Sequence, residues 1–361
     1  MRLDAHQHFW SYDAAQYPWI PAGSPLHRSW LPDDLASLQA PLGLEGSVAV
    51  QARQTVAESD WLLSLADKHA GVKGVVGWVD LCSDRVEADL ARLAAHPKFV
   101  GVRHVVQDEP DDAFMLGKDF QRGVSKLREH GLTYDILIYP RQLEAAIRLA
   151  EAFPDQPFVL DHIAKPHVKD GVIEPWKSQL RRLAKLPHVH CKVSGMITEA
   201  DHRAWRPEHL RPYLAVVFEA FGPSRLMWGS DWPVCLFAGG YEQTFRLVDD
   251  YARGLSQVER DGLFGANCAK FYGLASRIVV AFTSRVALKI QSLAVMSMSR
   301  PRFSLSTAEG RGPVPQRNSL SRPAPSNLPF FVVSDLAGSI ARYMSNTPPG
   351  VSPIRTSKAT F

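Results

Sequence analysis

Cysteine is scarce in this 361-residue chain. The four residues, Cys82, Cys191, Cys235 and Cys268, lie far apart and form no CxxC pair. That excludes a disulfide framework and a cysteine-built zinc site, and it fits a reducing, cytoplasmic setting. Long apolar runs are also missing, so neither a membrane span nor a membrane partner is expected. The opening segment LDAHQHFW carries charged and polar residues where a signal peptide needs an apolar stretch. No GxGxxG follows a strand pattern, which removes the dinucleotide-binding reading.

Acidic residues are nearly absent from one region. From Ser276 onward there are 11 Lys and Arg but only Glu309 and Asp335. Of the totals of 41 basic and 37 acidic residues, 30 and 35 therefore belong to residues 1–275. The body is mildly acidic and the tail strongly basic, so the overall charge of +4 is no sign of a nucleic-acid partner for the body. All 13 histidines also precede residue 276. Residues 276–361 are rich in Ser, Pro and Arg, a composition that buries little apolar surface, and they are expected to be mostly disordered.

What is present is alternation. Short runs rich in Val, Ile and Leu occur at 3–8, 46–51, 74–80, 99–106, 132–138, 157–163, 188–194 and 226–231. They read as strands buried on both faces. Between them, apolar residues recur with helical spacing: Val86, Leu90 and Leu93; Leu143, Ile147 and Ala150; Trp176, Leu180 and Leu183; Tyr241, Phe245 and Val248. Eight strands alternating with helices predict an α/β fold, a (β/α)8 TIM barrel over residues 1–275. The last helix is expected at 256–274, with Ser256 as its N-cap. The Pro- and Trp-rich stretch 10–45 is expected to form a loop over the barrel mouth.

Catalytic groups in such barrels sit where strands end. The first strand ends in His6-Gln7-His8, whose two imidazoles share a face by period-two alternation and can reach one metal ion. The sixth ends in Asp161-His162, and the eighth in Gly229-Ser230-Asp231-Trp232-Pro233. Alternation turns Asp161 away from His162, which assigns Asp161 to capping a neighbouring segment.

The segments LDAHQHFW, LDHIAKP and MWGSDWPV, with the closing GANCAKFYGL, resemble the sugar lactonases of the amidohydrolase superfamily. That family includes L-fuconolactonases and L-rhamnonolactonases and is related to 2-pyrone-4,6-dicarboxylate lactonase. The resemblance covers about residues 1–275. It implies a hydrolase that opens a small lactone, a carboxylic-ester hydrolase acting on a cyclic ester such as L-fucono- or L-rhamnonolactone. Dinuclear members carry a bridging Lys or Glu on strand four and a His on strand five. Here those strands offer Arg103-His104 and Asp135, so two metals are not expected. One divalent ion, zinc by preference, on His6, His8 and Asp231 stays open, as does a site without metal.

In the expected mechanism Asp231 takes a proton from the attacking water and returns it to the ring oxygen. His162 polarises the carbonyl. Gln51, Arg103, His104, Tyr139 and Lys192 are candidates to bind the sugar hydroxyls. Trp10 and Trp232, and more weakly Trp78, are candidates to face the ring. Two other readings stand: a metal-dependent decarboxylase of the same superfamily, and a catalytically silent barrel that binds a partner. A homo-oligomer is compatible with all of these.

Overall fold

In the computed structural model, residues 1–274 are described. The expectation of a disordered tail falls on residues outside that range. Eight parallel strands follow one another in chain order around the sheet: β1 (Asp4–Gln7), β2 (Ser47–Val50), β3 (Val72–Gly77), β4 (Phe99–His104), β5 (Thr133–Ile136), β6 (Phe158–Leu160), β7 (Val189–Val193) and β8 (Leu226–Trp228). Two backbone hydrogen bonds close the cylinder: Asp231 N–H donates to the His6 carbonyl at 2.9 Å, and His8 N–H to the Trp232 carbonyl at 2.7 Å.

The helices are α1 (Pro32–Gln39), α2 (Val56–Lys68), α3 (Val86–Ala94), α4 (Lys118–Leu127), α5 (Leu143–Ala152), α6 (Trp176–Ala184), α7 (Pro207–Phe221), α8 (Tyr241–Tyr251), α9 (Gln257–Asp261) and α10 (Asn267–Phe271). Their apolar stripes pack on the outside of the sheet. Leu90, Leu93, Ile147, Leu180, Leu183 and Val248 all belong to one buried cluster with strand residues such as Val75, Val102 and Ile136.

The final helix differs from expectation. Ser256 caps it as predicted: its hydroxyl accepts from Glu259 N–H, and the Glu259 carboxylate accepts from Ser256 N–H. The helix then breaks between α9 and α10, because the Phe264 carbonyl turns away to accept a hydrogen bond from Leu3 N–H at 2.8 Å. Gly265 allows that approach, since a Cβ there would meet the Met1 carbonyl oxygen at 2.3 Å.

The barrel interior is filled in layers. Leu3, Val48, Val50, Val76, Val100, Val159 and Met227 form an apolar layer, joined by Cys268, Tyr272 and Leu274 from the end of the fold. A charged layer of Arg103, Asp135, Asp161 and Lys192 is buried beside it. The Tyr272 hydroxyl donates to Asp135 Oδ2 at 2.7 Å and ties the two layers together.

The stretch after β1 does reach the mouth. Trp10 and Trp30 exchange two backbone hydrogen bonds that fasten its base. Trp10, Tyr17, Ile20 and Leu26 give it a small core of its own. No helix among the described residues is long and apolar enough to cross a membrane.

Candidate active site

Two strand ends leave the sheet by left-handed turns. β6 stops at Leu160, and His162, Ile163, Ala164 and Lys165 follow with φ of 52°, 50°, 60° and 47°. Such a conformation costs a non-glycine residue on the order of 1–3 kcal/mol, and most of all a β-branched one such as Ile163. Asp231 has φ of 57°. These turns bring four side chains from β1, β6 and β8 together. Asp231 Oδ1 lies 3.4 Å from His8 Nε2, 3.8 Å from His162 Nε2 and 3.9 Å from His6 Nε2.

Each member is held from behind. His8 Nδ1 lies 2.8 Å from the Val50 carbonyl, an acceptor only, so that nitrogen carries a proton and the ring turns Nε2 toward Asp231. His162 Nδ1 meets the Ser194 hydroxyl at 3.0 Å. A Cβ on Gly195 would come 2.5 Å from that same Nδ1, so a side chain there would displace the ring. The buried Asp4 carboxylate organises the β8 end. It accepts from Ser230 N–H at 2.9 Å, from the Ser230 hydroxyl at 2.6 Å, from His6 N–H at 3.0 Å and from the Tyr241 hydroxyl at 3.0 Å.

The electrostatics separate acid from base. Burial works to raise the Asp231 carboxyl, but His162 and His8 beside it, with Lys165, hold it below its ordinary value. Burial drives His162 and His6 well below the usual imidazole value, against the pull of neighbouring aspartates. An ionised carboxylate therefore faces two imidazoles, His6 and His162, whose charged forms burial disfavours.

Beneath this group, Lys192 Nζ contacts Asp135 Oδ2 at 2.5 Å, Asp161 Oδ1 at 3.1 Å and His6 Nδ1 at 3.2 Å. Arg103 Nη1 reaches Asp161 Oδ2 at 3.1 Å, and Arg103 Nη2 donates to the Gln51 carbonyl at 2.5 Å. Burial works against Asp161, yet Lys192, His6 and Arg103 hold its carboxyl well below the ordinary range. Asp135 rises to about 6, through burial only partly offset by Lys192.

A cavity of about 740 Å³ opens onto the upper group. That is room for one small molecule. Its wall includes His8, Arg103, His162 and Asp231, and also Gln16, Trp19, Arg53, Gln54, Gln107 and Lys165. The substrate side therefore differs from expectation. Of the seven candidates, Arg103 is on the cavity wall. Gln51 and Lys192 are sealed below it, engaged with Arg103 and with Asp135 and Asp161. His104 turns to Glu109, at 2.6 Å, and receives the Trp78 indole N–H at 3.3 Å. Tyr139 stands under the side chains of Arg141 and Lys165 rather than on the wall. Trp10 and Trp232 are fully buried behind it, and Trp232 packs on Trp30 and Phe9. The indole at the mouth is Trp19, exposed and edge-on to Trp10.

Asp161 is the other correction. Alternation placed it away from the site, but the strand ends one residue earlier, and its carboxylate stands 3.3 Å from His6 Nδ1. The LDHIAKP segment held both Asp161 and Lys165, and that signal was present in the sequence. Nothing in composition or period pointed to Trp19 or Arg53.

The amidohydrolase family profile matches residues 3–274. The chain belongs to that family. This amidohydrolase is similar to an L-fucono-1,5-lactonase of Burkholderia multivorans, with 43% identity over 286 residues that span 76% of this chain and 96% of the relative. An L-fucono-1,5-lactonase of Burkholderia ambifaria is 38% identical over 285 residues, spanning 75% and 95%. A crystal structure of an amidohydrolase from Burkholderia multivorans with bound zinc superposes with a TM-score of 0.72, at 42% identity, over 76% of this chain and 99% of that one.

The donor set of this amidohydrolase fits a divalent ion. His6, His8 and Asp231 place two nitrogens and one oxygen within 4.8 Å of one another. A second grouping, His6, Asp161 and His162, is as compact. Its carboxylate is already neutralised by Lys192 and Arg103, which favours the first. Arg103 Nη1, 3.3 Å from His6 Nε2, hydrogen-bonds at the same ring nitrogen.

Proposed function

We propose that this amidohydrolase hydrolyses a sugar lactone, L-fucono-1,5-lactone or a close stereochemical relative. The observation that carries the reading is the convergence of an ionised Asp231 with three buried imidazoles on the floor of a cavity of small-molecule size. The similarity to two L-fucono-1,5-lactonases supports the substrate class.

Asp231 is the general base. Its carboxylate takes a proton from a water that attacks the lactone carbonyl carbon. The carbonyl electron pair moves to oxygen, and the tetrahedral intermediate collapses with cleavage of the bond to the ring oxygen. Asp231 then returns the proton to that oxygen, which leaves as a hydroxyl group on the opened acid. His162, fixed through Nδ1 by Ser194, directs Nε2 to the reacting group. Arg103 and Lys192 hold His6 in register from below, and neither exchanges a proton.

His6, His8 and Asp231 would hold one zinc ion, the metal suited to two imidazoles and one carboxylate with open positions. When bound, it supplies Lewis-acid polarisation of the carbonyl. The wall residues Gln16, Gln54 and Gln107 offer amides to the hydroxyls of a neutral polyol, and Trp19 offers an apolar face.

The test is a panel of aldonolactones, followed by the acid each releases. L-fucono-1,5-lactone is expected among the best substrates, with kcat/KM above about 10⁴ M⁻¹s⁻¹. A panel with no turnover would overturn the assignment.

A further inference from the structure

The chemistry leaves one charge to be accounted for. A neutral lactone becomes an oxyanion and then a carboxylate, so a site tuned for it needs positive charge where that oxygen sits. Four cations lie near the cavity floor or wall. Arg103 and Lys192 are committed to Asp161 and Asp135, as described above. Arg53 is committed at the rim: its Nη1 donates to Gln16 Oε1 at 2.5 Å, and its Nε lies 3.8 Å from Glu58.

Lys165 is different. It lines the same cavity as His162 and Asp231, and its ammonium makes no side-chain hydrogen bond among the described residues. Its ion-pair partner there, Glu199 Oε1, is 3.9 Å away, beyond hydrogen-bond reach. The group stands 5.4 Å over the Tyr139 ring, which supports its stem while leaving the donors unspent. The left-handed turn at 162–165 is the element that sends both His162 and Lys165 toward Asp231. A run of residues in that conformation persists only where the surroundings enforce it, and such runs gather at working sites.

Resting on the lactonase reading, we propose that Lys165 is a further catalytic residue: its ammonium stabilises the oxyanion formed on attack at the lactone carbonyl, then holds the carboxylate of the opened acid. Lys165 exchanges no proton. The proton removed from water travels through Asp231 to the ring oxygen. Collapse of the intermediate returns the oxyanion's electron pair to the carbonyl as the ring C–O bond breaks, and the new acid then releases its remaining water-derived proton to solvent, leaving a carboxylate that faces Lys165.

The experiment compares native enzyme with Lys165→Met and Lys165→Arg on L-fucono-1,5-lactone. Inhibition by L-fuconate, the charged product, is measured beside inhibition by L-fucose, its neutral analogue. Lys165→Met is expected to lower kcat about 100-fold. It is also expected to weaken L-fuconate inhibition about tenfold while leaving L-fucose inhibition within about twofold, and Lys165→Arg to recover at least part of the rate. Should Lys165→Met melt far below the native enzyme, Lys165→Gln carries the same comparison. Turnover within about threefold of native, or equal weakening of both inhibitors, would overturn the proposal and leave Lys165 as a wall residue. Native enzyme that opens no aldonolactone defeats the lactonase reading itself, a separate outcome visible before any variant is made.

Discussion

Two groups of buried polar side chains lie one above the other inside the barrel, and their wiring is different. In the lower one, Arg103, Lys192, Asp135, Asp161 and the Tyr272 hydroxyl meet at 2.5–3.1 Å, cation against anion. In the upper one, a single carboxylate faces three imidazoles at 3.4–3.9 Å. The lower group is cross-paired, and of its members only Arg103 reaches the cavity wall. The upper group opens into the cavity through His8, His162 and Asp231. Cations set against anions make a scaffold, whereas a carboxylate among imidazoles at a cavity makes a site.

This contrast predicts that function and stability separate between the layers. The largest effect belongs above: Asp231→Asn should lower kcat by about 10³-fold or more, with a melting temperature near native. Loss of the fold in that variant would erase the distinction between layers. Below, Lys192→Met leaves Asp135 without its cation and Asp161 with Arg103 alone, and should destabilise the protein by about 3–5 kcal/mol, read as a lower denaturant midpoint. A stable Lys192→Met enzyme with depressed kcat would mean that Lys192 belongs to the chemistry instead.

Glu58 offers a smaller and sharper test, because it is buried but satisfied chiefly by neutral donors. Its carboxylate accepts from Ala52 N–H at 3.0 Å, Arg53 N–H at 2.6 Å and the Tyr17 hydroxyl at 3.2 Å, joining two segments of the cavity rim. Burial pushes it up to about 7, against those hydrogen bonds and Arg53. The folded state therefore holds this proton more tightly than the unfolded chain does. Stability is highest below the unfolded value near 4.5, falls as pH rises through the interval, and levels off above about 7. The loss from this one group is about 3 kcal/mol. Melting curves of Glu58→Gln against native enzyme across that interval should show the slope removed. Parallel curves would place the charge of Glu58 in better company than its neighbours suggest.

The sequence carried the architecture further than the cavity. Eight strand patterns appear as eight strands because each is apolar on both faces, a signal that survives without tertiary knowledge. His6, His8, His162 and Asp231 were legible for a related reason: polar residues at the ends of such strands have no ordinary place. Depth was not legible. Alternation says that Lys192 points into the barrel, but not at which level, and Lys192 lies below the cavity that His8, His162 and Asp231 line. Asp161 was misread where the period itself stopped, one residue past Leu160, at a left-handed turn that no propensity of Ile163 would announce. Trp10 and Trp232 show that an aromatic near a strand end is as readily a support behind the wall as a face on it. Trp19 works from a loop whose course depends on the small core beneath it.

The seam of the cylinder lies between its first strand and its last, and the proposed base and two of the imidazoles sit on either side of that seam. A growing polypeptide leaving the ribosome holds His6 and His8 from the outset, but they remain without their carboxylate until residue 231 has been made and the two edges have zipped together. Turnover would then serve as a reporter of completed folding: a chain arrested anywhere short of β8 is catalytically silent, however much of its sheet has formed.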